Sequence, residues 1–126
     1  MLKLMSIFEE LLNRSDMPQV DQSDLSAAVK ILTDAGIDVS MRSVDPSSLR
    51  HSQTKVNKQK IRSIASDIES GKKMPPIVIS SDGSIIDGHH RQMAYIKLGT
   101  NPVRAVQINL PRDRAITAYK KVEDIV

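Results

Sequence analysis

The stretch IIDGHHRQMAYIKLG, residues 85–99, decides the fold. Its first three residues read as a short strand, and Gly88 breaks the extended run. The residues that follow fit a helix over 89–98, and Gly99 stands where a left-handed cap belongs. A strand that passes through glycine into a helix presents unpaired backbone N–H groups at the helix start, together with the positive end of the helix dipole. Anions bind such ends. Gly88 permits close backbone approach or a positive φ, and Arg91 can fork onto a phosphate. His89 and His90 add further donors. Cations at this end oppose the dipole by about 0.3–1 kcal/mol each unless an anion or Asp87 compensates. A local rule broken in this way is often the mark of a functional site.

Reading outward, MPPIVIS (residues 74–80) is a short apolar strand with its prolines at the entrance, where no ladder donor is needed. Ser81, Asp82 and Gly83 make a tight turn, so this strand and the one ending at Asp87 form a hairpin. Downstream, VRAVQINL (103–110) reads as another strand, and Pro111 suits the first position of a last helix. Upstream, Ile61, Ile64, Ala65 and Ile68 lie on one helical stripe that Thr54 or Asn57 can open and Gly71 can close. IDVSMRSV (37–44) alternates apolar with polar residues, the pattern of a half-buried strand. Two more helices are expected before it, over 2–13 and 24–35, the second followed by Gly36. The expected fold is α+β, a mixed α/β arrangement of a small mixed sheet with flanking helices. Residues 1–36 are read as an N-terminal helical segment and 37–126 as the domain proper.

A chain of 126 residues argues for one such domain. It has no cysteine, which removes disulfides, thiolate metal sites and cysteine nucleophiles. No apolar run approaches the roughly 20 residues that span a bilayer. The start, MLKLMSIFEELLNR, carries Glu9 and Glu10 and lacks a small-residue cleavage site, so it reads as a helix and not a signal peptide. The expectation is a cytoplasmic protein with no membrane partner. Net charge is only +3, but seven Lys and Arg fall between Arg50 and Lys73 against Asp67 and Glu69. Such a stretch either attracts phosphates or is a solvated helix face. Within it Lys58, Lys60 and Arg62 are the candidate nucleic-acid contacts. Phe8, Tyr95 and Tyr119 are the only aromatics, few for a protein that stacks single-stranded bases.

Adjacent histidines on a helix point about 100° apart, so His89 and His90 are poorly placed to share one ion. A Mg²⁺ ion shared between Asp87 and a bound phosphate is the better metal candidate. Imidazole titrates near neutral pH, which makes His89 or His90 a candidate general acid or base.

These residues carry a resemblance. GHHRQMA matches Gly-x-x-Arg-x-x-Ala at Gly88, Arg91 and Ala94, the pattern of the second box of the ParB N-terminal domain. DGHHR also resembles the signature of the wider ParB/sulfiredoxin superfamily, which includes a free-serine kinase and small phage-type ParB-like proteins. The order of polar loop, helix, hairpin and motif agrees over residues 44–110. The resemblance implies that Gly88, His89, His90 and Arg91 grip nucleotide phosphates, with Asp87 near a metal or reacting group. It also implies that the loop RHSQTKV, with Ser52, Gln53, Thr54 and Lys55, faces the same pocket. Sulfiredoxin chemistry needs a cysteine and is excluded. His89 stands where ParB has an acidic residue, and the first loop lacks the glutamate of the serine kinase.

The leading expectation is therefore a nucleotide-binding enzyme acting on phosphate groups, with ATP or another nucleotide and Mg²⁺ as cofactors. Nucleotide hydrolysis, phosphoryl transfer and cleavage of DNA as a nuclease all stay open. The alternative is a non-catalytic module that binds DNA or a nucleotide, or that docks or self-associates through its N-terminal helices.

Overall fold

A computed structural model describes residues 25–51 and 56–125. The helix expected over 2–13 lies outside these residues, as do Ser52, Gln53, Thr54 and Lys55. The described chain runs α1 (Leu25–Asp34), β1 (Val39–Val44), a single 3₁₀ turn (Pro46–Ser48), α2 (Lys58–Glu69), β2 (Ile77–Ser80), β3 (Ile85–Asp87), α3 (His89–Leu98), β4 (Val103–Ile108) and α4 (Arg112–Ile125). The strands form one mixed sheet in the order β1-β4-β2-β3. β1 and β4 are antiparallel, β2 and β4 parallel, and β2 and β3 make the expected antiparallel hairpin. The α+β architecture read from the sequence is the one observed.

The period of two along each central strand divides the core between the two faces of the sheet. Val78, Ile86, Val106 and Ile108 face one side, where they meet Ala28 and Leu32 of α1 and Ala115, Ala118, Tyr119 and Val122 of α4. Their neighbours Ile77, Ile79, Ile85, Val103 and Ala105 face the other side with Leu49 and Tyr95. Beyond that layer α2 and α3 pack on each other through Ile61, Ala65 and Ala94. Helices thus cover both faces of β2, and all four of its residues are buried.

Ala28 and Leu32 of α1 are buried against α4 and the sheet. One expectation changes. β1 was expected to be half-buried on one face, yet Ser40 through Ser43 are exposed and Met41 keeps 50% of its surface. β1 is an edge strand that pairs with β4 alone among the described strands; its ends pack, Val39 against one core layer and Val44 against the other, and its middle is left uncovered.

Candidate functional site

The junction quoted at the outset is the meeting point of three segments. β3 ends at Asp87, and Gly88 turns the chain with φ 103° and ψ 26°. The first α3 bond runs from the Gln92 N–H to the Gly88 carbonyl at 2.9 Å. The amides of His90 and Arg91 consequently have no acceptor within the helix, and Gly88 brings no capping side chain. The missing Cβ is filled by Arg91. A Cβ built on Gly88 would lie 2.8 Å from Arg91 Nη2 and 3.2 Å from its Cζ and Nε.

Arg91, the expected phosphate fork, lies folded over the turn with 16% of its side chain exposed. Nη2 donates to the Pro76 carbonyl at 3.3 Å and stands 4.0 Å from Asp87 Oδ1. Asp87, four residues earlier, and the bare Gly88 surface draw the guanidinium back over the turn. These contacts are long for a charged donor, and Nε is buried with no hydrogen-bond partner. Asp87 also accepts a 3.4 Å hydrogen bond through Oδ2 from the Tyr119 hydroxyl of α4. Burial pushes the Tyr119 phenol well up, and the carboxylate beside it adds to the shift.

All three histidines of the chain converge here. The backbone of Arg50 donates to the Gly83 carbonyl at 2.9 Å and accepts from the Ile85 N–H at 2.8 Å, which stitches Arg50 beside β3. His51 follows directly, and its ring meets that of His89 edge-on with centroids 5.3 Å apart. His89 is only 3% exposed. Burial first, then the positive fields of His51, His90, Arg112 and Arg91, depress its pKa to about 4. His90 is half-buried, and its Nε2 accepts the Asn57 N–H at 3.0 Å. Burial, Lys60 and His51 lower its pKa as well. The two histidines expected to do acid–base work are thus otherwise engaged: one is sequestered, and the other supports α2, whose first turn Asn57 caps through Lys60 N at 3.1 Å.

The sequence reading missed two members of this group. His51 lies 41 residues from its partner Gln92, and Arg112 arrives from α4; no spacing rule links either to the motif. Of the basic residues on α2, Lys58, Lys60 and Arg62 are all exposed. Lys58 and Arg62 share a face at i and i+4, whereas Lys60 lies off that face and near enough to His90 to help lower its pKa.

Mg²⁺ fits this donor set poorly. Asp87 faces Tyr119 and Arg91, and among the described residues no three His, Cys, Asp or Glu gather as metal ligands. An anion fits better, because first-turn amides and the buried, unpartnered Nε of Arg91 lie at the turn, with Arg112 near enough to act on His89. No described helix is long and apolar enough to cross a membrane.

The chain matches the family model of the ParB N-terminal domain over residues 22–123. No curated protein matches it. Among solved structures it is similar to a Pnob8-like ParB-N domain in a C2221 crystal form, with 15% identity and a TM-score of 0.56. The match covers 71% of this chain and 38% of that one, so it spans well under half the length of its structural relative. The likeness in fold and the family match across the motif lead to one conclusion: this chain belongs to the ParB N-terminal domain family.

Proposed function

We propose that this domain binds a phosphate-bearing ligand, a nucleotide in the first instance, at the N-terminus of α3. The observation that carries the reading is the excess of cationic and N–H groups around that turn. His51, His90, Arg91 and Arg112 all lie close enough to act on His89, with Asp87 4.0 Å from Arg91 and Asp113 paired to Arg112 at 2.7 Å. Burial, and then the positive groups around them, hold His89 and His90 below their ordinary pKa. A phosphate there would accept from the first-turn amides and offer Arg91 better acceptors than the long contacts it now makes.

Binding is better supported than bond cleavage. A general base needs a ring nitrogen free to meet a proton; His90 Nε2 is already an acceptor and His89 is buried, which leaves His51 as the one exposed histidine. Nucleotide hydrolysis, phosphoryl transfer or DNA cleavage through His89 or His90 would require that arrangement to open. A second ligand source, DNA, is favoured by the exposed Lys58 and Arg62 on one side of α2.

Thermal denaturation with ATP, CTP and inorganic phosphate tests the reading. A nucleotide at about 100 times its Kd should stabilise the fold by about 2.7 kcal/mol. A melting point unmoved by any of the three would refute nucleotide binding. Turnover of ATP, or metal-dependent nicking of DNA, that Arg91→Ala abolishes would move the reading from binding to catalysis.

A further inference from the structure

Which histidine meets the ligand follows from the hydrogen bonds of Gln92. This residue of α3 is 3% exposed, and both ends of its amide are engaged. Its Nε2 donates to the Pro46 carbonyl at 2.8 Å. Its Oε1 meets His51 Nε2. A carbonyl only accepts, so the NH₂ of Gln92 must face Pro46, and Oε1 is left for the histidine. That oxygen also only accepts, so His51 must carry a proton on Nε2. Pro46 is itself fixed. It opens the 3₁₀ turn that Asp45 caps by accepting from the Ser47 N–H at 2.9 Å.

Of the three histidines, His89 is buried and His90 spends Nε2 on Asn57. His51 alone is exposed, at the rim of the turn, with its ring against His89. We infer that His51 is the histidine that contacts the bound phosphate, through Nδ1, and that Gln92 is the positioning residue that holds its ring and tautomer. The inference rests on the nucleotide-binding reading above. Neutral His51 offers a lone pair at Nδ1 to a protonated phosphate oxygen or a ligand hydroxyl. Protonated, it offers an N–H to a phosphate anion.

Long-range ¹H–¹⁵N correlation spectra distinguish a protonated ring nitrogen from a bare one. In its neutral form His51 should carry its proton on Nε2. Gln92→Met, checked for an unchanged circular dichroism spectrum, should lose that single tautomer. A wild-type proton on Nδ1 overturns the positioning role, as does a tautomer indifferent to Gln92→Met. Should Gln92→Met fail to fold, the wild-type spectrum still decides. On addition of ATP the His51 resonances should move, and His51→Ala should weaken ATP binding about fivefold or more. Full affinity in His51→Ala overturns this inference and leaves nucleotide binding standing. No ATP binding by the wild type overturns the nucleotide reading and the His51 contact with it.

Discussion

Gly88→Ala isolates the packing at the centre of the site. Gly88 sits at φ +103°, where an L side chain costs roughly 1–2 kcal/mol. The new methyl would also stand 2.8 Å from Arg91 Nη2. The guanidinium is the end of a flexible side chain, so it should swing away and give up its bond to the Pro76 carbonyl, a loss of about 0.5–1.5 kcal/mol. The sum is about 1.5–3.5 kcal/mol. A chain of 126 residues unfolds with an entropy of roughly 0.26 kcal/mol/K, so each kcal/mol lowers Tm by about 4 °C. Calorimetry should therefore find Tm about 6–14 °C lower. Gly83→Ala is the control. Its φ is +78° with nothing within 4 Å of the added carbon, so only the backbone cost applies, about 4–8 °C. In an Arg91→Ala background the Gly88→Ala penalty should shrink to that of Gly83→Ala. Equal losses at the two glycines in the wild-type background, or a Gly88→Ala penalty that ignores Arg91, would show that the guanidinium does not lie on the glycine.

Stability should also depend on pH through His89. Its folded pKa of about 4 lies below the ordinary 6.5, so between these values the unfolded chain binds more protons. The contribution is complete above about pH 6.5 and falls with pH at up to about 1.4 kcal/mol per unit. Urea unfolding at a series of pH values from 7 to 5 measures this, and a flat profile would contradict the burial of His89. His90→Ala removes the acceptor of the Asn57 N–H. It should cost about 0.5–1 kcal/mol, since water can replace the ring at exposed Asn57, and should speed hydrogen exchange at that amide; unchanged exchange would argue against the bond. If DNA is the ligand, Lys58→Ala and Arg62→Ala should each reduce the slope of log affinity against log salt by about one. A slope indifferent to both would remove α2 from the footprint.

Local features were legible in the sequence because local chemistry sets them. The Ser81–Asp82–Gly83 turn specified the hairpin, and Gly99 after a helical pattern marked the end of α3. The DGHHR junction was legible as a helix N-terminus beside a strand. Long-range pairings were not. The parallel pairing of β2 with β4 brings Val78 beside Val106 across a helix and a hairpin, and no local periodicity encodes it. For the same reason the exposure of Met41 could not be read, since it depends on β1 being an edge. At the site, residue types were informative and directions were not. Arg91 was legible as a cation at a helix start. Its inward fold depends on the Pro76 carbonyl and the space over Gly88, both of which exist only after the hairpin packs. His51 is brought to Gln92 by the backbone pairing of Arg50 with the hairpin.

The most direct measurement is amide chemical-shift mapping while ATP is titrated into the full chain. Saturable shifts should be largest at His89, His90, Arg91 and Gln92, with a matching response at His51. Shifts that are absent, or that centre on a surface remote from the start of α3, would contradict the claim that an anionic ligand is held there.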